Sequence, residues 1–199
     1  MAELLKGAPV ARALTEELAA RCAALCEQGV VPTLAIVRVG ECEDDLSYER
    51  GALKRCEKVG IEARRVLFPA DASQDELMAA IEDINVDSTV HGCLLFRPLP
   101  AGLDEGAVAA ALDPAKDVDA MTPASLLTAL SGRGEGFAPC TAEAVLAILD
   151  HYGVELDGAK VAVVGRSLVI GRPAAAMLTA RNATVTTCHT HTRDLAAEC

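Results

Sequence analysis

The fold of this chain is decided by one stretch, KVAVVGRSLVIGRP, at residues 160–173. A short run of β-branched and apolar residues leads into Gly165, a second glycine follows at Gly171, and an alanine-rich segment comes after it. Because apolar runs of this length favour strands and alanine favours helices, the order indicates one β-α-β unit. Its strand, turn, helix and second strand are predicted at residues 159–165, 166–171, 172–182 and 183–189.

The two glycines indicate a ligand-binding turn. Gly165 lets the chain turn directly off the strand, and Gly171 permits close approach of a ligand to the helix start. Free N–H groups there, together with the helix dipole, favour a phosphate. This arrangement is typical of Rossmann domains, although the spacing G-x-x-x-x-x-G differs from the common G-x-G-x-x-G. A turn that uses glycine only for its geometry is the alternative.

Two arginines beside this turn indicate which nucleotide it binds. Arg166 follows the first glycine and Arg172 follows the second. No acidic residue ends the next strand to hold a free ribose hydroxyl. The pair therefore favours the 2′-phosphate of NADP over NAD.

Upstream of this unit, helices alternate with short apolar strands, which predicts a second parallel sheet. Ser73 and Glu76 have the spacing of a capping box. The predicted helices lie at residues 8–28, 44–60, 71–87, 105–113 and 141–154, and the predicted strands at residues 33–40, 61–69 and 90–96. The fold class is therefore α/β.

The stretch DPAKDVDAMTP (113–123) breaks this alternation. It holds two prolines and three aspartates and shows little periodicity. We interpret it as the crossover between an N-terminal domain at residues 1–120 and a Rossmann-type domain at residues 121–199. The glycine-rich stretch SGRGEGFAP (131–139) is predicted to be a loop, and THTRDLAAEC (190–199) is predicted to form the start of a last helix.

Composition excludes several classes of protein. Hydrophobic residues make up 51% of the chain, which allows a real core, and the formal net charge is −11. Nucleic-acid binders usually carry a basic patch, and no Lys/Arg-rich run is present, so we expect no nucleic-acid partner. No apolar run approaches membrane-spanning length, and the N-terminus has no signal-peptide stretch, so we expect no membrane partner.

The eight cysteines favour a reducing compartment. Cys22 and Cys26 stand one helical turn apart, which places two candidate metal ligands together. No second ligand pair accompanies them, so small buried hydrophobic side chains are the favoured interpretation and no metal is expected. A cytoplasmic location follows.

Several further motifs match one enzyme family in order along the chain. They are GRSLVIGRP (165–173), ATVTTCHTHT (183–192), PCTAEAVLAIL (139–149), DPAKDVDAMTP (113–123), RPLPAGLD (97–104) and the helix that carries Tyr48. Together they resemble the bifunctional methylenetetrahydrofolate dehydrogenase/cyclohydrolase family. The resemblance implies a cytoplasmic homodimer with a folate pocket in the N-terminal domain and NADP in the second domain. Such enzymes oxidise 5,10-methylenetetrahydrofolate to the 5,10-methenyl form and hydrolyse that to 10-formyltetrahydrofolate.

The resemblance also assigns roles to single residues. Tyr48 matches a catalytic tyrosine that contacts the substrate, with a core-facing helix residue as the alternative. Asp119 matches the aspartate that holds the amino-pyrimidine edge of the pterin, with a solvated loop acid as the alternative. Substrate contacts are further implied for Phe96, Pro98 and Leu99, and cofactor contacts for Gly165, Arg166, Ser167, Gly171, Arg172 and Thr190.

The chain departs from the family at its catalytic helix. The family carries Tyr-x-x-x-Lys, but the position four residues after Tyr48 is Ala52. Lys54 is present but points elsewhere around the helix. The glutamine that partners the family's lysine is here Phe96. Removing both polar partners together avoids a stranded buried group. Milder changes place Ala142 and Ala144 in the family's Pro-Cys-Thr-Pro-x-Gly motif.

Family members also continue past position 199 with further strands, a Pro-Gly-Gly-Val-Gly-Pro-like loop and a returning helix. The second domain is therefore expected to be incomplete at Cys199. We expect NADP-dependent dehydrogenation with impaired hydrolysis. The alternative is a non-catalytic folate- or nucleotide-binding remnant. A generic Rossmann reductase would leave the Asp-Val-Asp and Pro-Leu-Pro segments unexplained.

Overall fold

The computed structural model of the chain describes residues 2–134 and 136–199. These residues form two compact units. The N-terminal unit spans Ala11–Val118, and the C-terminal unit comprises Asp119–Cys199 together with the segment of chain that ends at Val10. No helix in the described residues is long and apolar enough to cross a membrane.

Within the described residues, the N-terminal unit contains a parallel sheet of three strands. Strand β1 (Thr33–Val39) lies between β2 (Glu62–Phe68) and β3 (Gly92–Leu95). The helices that belong wholly or mainly to this unit are α1 (Gly7–Glu27), α2 (Glu43–Val59), α3 (Gln74–Val86) and α4 (Glu105–Ala111).

The position of each strand in this sheet explains its sequence. Ala35, Ile36 and Val37 of the central strand β1 are completely buried, as expected where both faces of a parallel sheet are covered. Strand β2 is at the edge, and its residues are only half-buried or exposed. The apolar run at residues 33–40 and the more polar run at residues 61–69 therefore reflect central and edge positions.

A buried ion pair fastens α2 to the sheet. Nε of Arg38 on β1 lies 2.7 Å from Oε2 of Glu49 on α2, and both side chains are 3% exposed. Arg38 also donates to the Gly40 carbonyl oxygen. Nε of Arg65 on β2 donates to Oε1 of Glu49 at 2.5 Å. One carboxylate therefore joins α2 to two strands.

The two arginines also determine the charge state of Glu49. Burial alone would raise the pKa of this carboxyl, but hydrogen bonds and charge from Arg38 and Arg65 outweigh burial and hold the pKa below its ordinary value. Glu49 is therefore ionised at neutral pH, and each arginine keeps its counter-charge.

The predicted crossover is fixed against α3 and β3. Nζ of Lys116 donates to the carbonyl oxygens of Ile84 at 2.5 Å and Asp87 at 2.8 Å, at the helix end where carbonyls lack helical partners. Asp117 is completely buried and forms a parallel bridge with Cys93. The Lys-Asp part of the Lys-Asp-Val-Asp motif is therefore structural.

The C-terminal unit is built around the predicted β-α-β segment. Its elements are α5 (Pro123–Ser131), α6 (Cys140–His151), β4 (Lys160–Val164), α7 (Gly171–Ala180), β5 (Thr184–Cys188) and α8 (Leu195–Glu198). Strands β4 and β5 pair in parallel, with Lys160 opposite Thr184 and Val164 opposite Cys188. Leu156, Leu178 and Ala183 form a small core.

The α/β fold with parallel sheets is confirmed, as is the capping box of Ser73 and Glu76. Helix α5 is missing from the sequence analysis, although Thr122 caps it and Pro123 occupies its first turn. Helix α6 spans Cys140–His151 and no side chain caps its start, so it begins one residue before and ends three residues before the predicted range 141–154.

The C-terminal prediction is only partly correct. Helix α8 covers Leu195–Glu198 alone. Residues 189–192 form a turn instead, closed by a hydrogen bond from the Thr192 amide to the His189 carbonyl.

Replacing Glu49 by glutamine will destabilise the N-terminal unit, because it leaves Arg38 buried without its counter-charge. We expect a loss of about 3–5 kcal/mol at neutral pH in urea unfolding. In the wild type, the contribution of Glu49 is fully present above the unfolded-state pKa of about 4.3. It disappears as the pH falls through the lower folded-state pKa. The difference between the proteins should therefore shrink in acid.

The matched control is Arg65→Gln, which removes the other arginine from the same carboxylate. The Arg65 side chain is 48% exposed, so its loss should cost less than about 1 kcal/mol. Equal losses for the two variants would contradict the assignment of Arg38 and Glu49 as the principal pair.

Candidate functional site

Helix α2 presents a groove on its exposed face. Tyr48, Ala52 and Arg55 follow one another at four- and three-residue spacing, which places them on one side of the helix. With Asp44, Ser47 and Gly51 they line a shallow groove of about 570 Å³. Tyr48 is 62% exposed, so the alternative that it faces the core is wrong.

An aromatic contact holds Tyr48 in place. Its ring lies 5.2 Å from the ring of Phe96 at an interplanar angle of 68°, an edge-to-face arrangement. Phe96 is 6% exposed and follows β3 directly, where its amide donates to the Val37 carbonyl. The structure therefore brings Tyr48, Ala52 and Phe96 together. Lys54 is exposed and does not line the groove.

Glu105 holds the Pro-Leu-Pro loop. The Leu99 amide donates to Oε2 of Glu105 at 3.0 Å, and Nη1 of Arg97 lies 4.0 Å from Oε1 of the same carboxylate. Leu99 is half-buried and Pro98 is exposed. The first residue of α4 thus determines the path of both predicted substrate residues.

Asp119 belongs to the C-terminal unit, where Cys140 contacts it. The pKa of the Cys140 thiol is raised to about 11. Desolvation is the largest cause, followed by the charges of Asp119 and Glu143 and the hydrogen bond that the thiol donates to Asp119. The thiol is therefore protonated at neutral pH and orients the carboxylate. Asp119 is half-buried, so the alternative of a fully solvated loop acid is wrong.

The two glycines of the predicted cofactor turn contact each other. Gly165 has a φ of +144° in the region that favours glycine, and its amide donates to the Cys188 carbonyl at 2.8 Å. At Gly171 an added Cβ would overlap the carbonyl group of Gly165 and lie 2.8 Å from the Arg166 amide nitrogen. Packing of the helix against the turn therefore requires glycine at 171, which is a different reason from the ligand approach predicted from the sequence.

Ser167 caps the helix start. Its Oγ accepts hydrogen bonds from the amides of Ile170 at 3.1 Å and Gly171 at 3.4 Å, and its carbonyl accepts from the Arg172 amide at 3.0 Å. Pro173 has no N–H. The prediction of free N–H groups at this helix start is therefore wrong for these residues, because the turn satisfies them itself.

Side chains remain available at the surface of this turn. Arg166, Ser167 and Arg172 are exposed, and Nε of Arg172 donates to the Arg166 carbonyl at 3.1 Å. The capping hydroxyl of Ser167 uses its oxygen as an acceptor, which leaves its proton to donate. Two guanidiniums and one hydroxyl can therefore contact an anion.

The turn after β5 lies at the same sheet edge, because parallel strands end together. Thr190 is exposed in this turn. Thr192, which the sequence analysis missed, closes the turn by accepting at Oγ1 from the His189 amide at 2.8 Å. A serine or threonine three positions after the first residue of a turn is the local pattern that indicates this role.

The cysteines give no sign of a metal site. Cys22 is buried and Cys26 is exposed, and all eight cysteines are free. Among the residues that the structure describes, no group of three or more His, Cys, Asp or Glu side chains is arranged to hold a metal ion.

Comparison with protein families matches both parts of the chain. Residues 5–119 match the tetrahydrofolate dehydrogenase/cyclohydrolase catalytic domain, and residues 139–199 match the NAD(P)-binding domain of the same enzymes. The chain therefore belongs to the tetrahydrofolate dehydrogenase/cyclohydrolase family.

Individual relatives agree with this assignment. The bifunctional protein FolD of Alkaliphilus oremlandii is 45% identical over 197 residues, which cover 99% of this chain and 69% of the relative. The FolD of Clostridioides difficile is 45% identical over 193 residues, which cover 97% of this chain and 67% of the relative.

Solved structures share the fold. The bifunctional enzyme FolD of Campylobacter jejuni superposes with a TM-score of 0.94 at 33% identity, covering 98% of this chain and 70% of that one. The Trypanosoma brucei enzyme, which was solved with NADP cofactor and inhibitor, superposes with a TM-score of 0.87 at 31% identity, covering 96% of this chain and 66% of that one.

Replacing Gly171 by alanine will destabilise the C-terminal unit, because the new methyl group must displace the Gly165 carbonyl. We expect a loss of about 1–3 kcal/mol in thermal or urea unfolding. Gly51→Ala is the matched control, since an added Cβ there meets nothing within 4 Å. That helical position should gain up to about 1 kcal/mol. A neutral effect of Gly171→Ala would contradict the packing argument.

Proposed function

We propose that this chain catalyses the NADP-dependent oxidation of 5,10-methylenetetrahydrofolate to 5,10-methenyltetrahydrofolate and hydrolyses the methenyl product poorly. The groove on α2 carries the proposal. It keeps the tyrosine that the family resemblance implies, but alanine and phenylalanine stand where the resemblance implies lysine and glutamine. The function thus belongs to one-carbon folate metabolism, with one of two activities weakened.

Each unit, taken by itself, carries side chains that suit a folate. Tyr48 offers an exposed ring, positioned by Phe96, against which the substrate's rings can stack. Pro98 and Leu99 add an apolar surface on a loop that Glu105 holds. The Asp119 carboxylate is suited to accept two N–H bonds from an amino-pyrimidine edge, and Cys140 orients it.

The residues of the cofactor turn fit NADP. An added Cβ on Gly165 would meet no atom within 4 Å, so the space beside the turn is open. Arg166 and Arg172 supply charge for phosphates, while Ser167 and Thr190 supply hydroxyl groups. Bound NADP would supply a nicotinamide that accepts hydride from the methylene carbon. The chain's own residues have to hold the two reactants close and aligned.

Hydrolysis requires a side chain that can transfer a proton, and the groove residue at position 52 does not provide one. Opening the methenyl ring requires a water molecule and proton transfers assisted by a positioned group, and such assistance is commonly worth about 10²–10⁴-fold in rate. Alanine at position 52 cannot transfer a proton, and Phe96 makes its surroundings drier. Lys54 lies outside the groove lining. Dehydrogenation depends mainly on alignment and should suffer less.

We also propose that the protein is a cytoplasmic homodimer. The eight free cysteines favour a reducing compartment. Strand β2 leaves one edge of its sheet exposed, and such an edge is suited to association with a second copy of the chain.

Restoring the missing pair, Ala52→Lys with Phe96→Gln, should create methenyltetrahydrofolate hydrolysis. We expect an increase of about 10²-fold or more over the unaltered protein, because a group able to transfer protons returns to the groove. Absorbance of the methenyl compound reports both its formation with NADP and its hydrolysis. Dehydrogenase activity of the unaltered protein is therefore measured in the same assay.

Ala52→Arg with Phe96→Gln is the matched control, because it returns a positive charge on a group that is not deprotonated near neutral pH and therefore cannot act as a base. It should leave hydrolysis near background. Brisk hydrolysis by the unaltered protein would contradict the proposed impairment. Absence of NADP-dependent oxidation would contradict the proposed dehydrogenase.

Replacing Arg166 by alanine should weaken NADP binding at least tenfold more than NAD binding, because only NADP offers a 2′-phosphate for a charge-assisted hydrogen bond. Calorimetric titration of both cofactors measures the difference. Arg193→Ala removes an equal charge in the same unit and should weaken neither cofactor selectively. Equal weakening of NADP and NAD by Arg166→Ala would contradict the assignment.

A further inference from the structure

Arg55 occupies the part of the groove next to the position of the missing lysine. It lies three residues after Ala52 and four after Gly51, and all three line the same groove. A Cβ added at Gly51 would meet no atom within 4 Å, and Ala52 contributes only a methyl group. The groove beside Arg55 is therefore open.

A contact with α1 restrains the guanidinium. Nη1 of Arg55 donates to Oγ1 of Thr15 at 3.2 Å. Thr15 is only 7% exposed, and its own hydroxyl donates to the Ala11 carbonyl at 2.6 Å. A guanidinium has five N–H donors, so this anchor uses a small part of its capacity. The Arg55 residue as a whole remains exposed.

The groove is electrostatically polarised along the helix. Asp44 lines it near the N-terminal end of α2 and Arg55 lines it toward the C-terminal end. Arg55 lies seven positions after Tyr48, which corresponds to about 10.5 Å along the helix axis. An elongated ligand with rings at Tyr48 and an anionic end will therefore extend toward Arg55 and away from Asp44.

We propose that Arg55 is a specificity-determining residue that binds a carboxylate of the folate substrate's glutamyl tail. The inference rests on the proposed function, since that function supplies a ligand with rings at one end and carboxylates at the other. The planar guanidinium matches a carboxylate through two parallel hydrogen bonds. Because arginine stays protonated, it adds charge to the groove without replacing the lysine in proton transfer.

The test compares two ligands that differ only in the tail: tetrahydrofolate, and the primary amide of tetrahydropteroate (below, tetrahydropteroate), which keeps the benzoyl amide but lacks the glutamate and its two carboxylates. Arg55→Gln should weaken tetrahydrofolate roughly three- to tenfold in calorimetric titration, as expected for an exposed charge-assisted pair. Its affinity for tetrahydropteroate should not change. Arg55→Lys should retain part of the affinity for tetrahydrofolate, and added salt should reduce the effect of Arg55→Gln.

Lys54→Gln is the matched control, because it removes the same charge from the neighbouring position outside the groove lining. It should leave both affinities unchanged, and thermal unfolding checks that every variant is folded. The proposal is overturned if Arg55→Gln weakens both ligands equally or neither. If the unaltered protein binds tetrahydropteroate and tetrahydrofolate equally, Arg55 has no such role while the proposed function stands. If it binds no folate at all, both fail.

Discussion

The carboxylate of Glu49 determines how α2 lies on its sheet, because it must meet two arginines that come from different strands. Arg38 is buried in the central strand and would be stranded without it. With Glu49 facing inward, Tyr48, Ala52 and Arg55 lie about 60–120° around the helix from it, on the flank of α2 that lines the groove. The charged contact in the interior therefore fixes which side of the helix the groove occupies.

The aromatic pair of Tyr48 and Phe96 explains why alanine at position 52 and phenylalanine at position 96 are compatible. A glutamine at position 96 beside Ala52, or a lysine at position 52 beside Phe96, would leave a partly buried polar group without a hydrogen-bond partner. Replacing both gives an edge-to-face contact with Tyr48 instead. In the function proposed above, this arrangement would provide packing in place of proton transfer and keep Tyr48 positioned for the substrate's rings.

Much of the fold could be predicted because its determinants are local. The apolar runs of β1 and β4, the glycines of the cofactor turn and the capping box at Ser73 all lie within a few neighbouring residues. The Arg38–Glu49 pair could not be predicted, since nothing in a strand or a helix indicates which distant charge will be its partner. Arg55 was missed for a different reason: its spacing from Tyr48 is visible, but only the fold shows that this face lines a groove.

The contact between Gly165 and Gly171 has a consequence for the affinity of the nucleotide site. With the Gly165 carbonyl pressed against the helix start, and Ser167 capping the same helix, the loop and the helix form one stiff piece. Ordering a loose loop around a ligand costs entropy that a stiff one has already lost during folding. For the NADP contacts proposed at this turn, such preorganisation would let more of the free energy of each phosphate contact contribute to net binding.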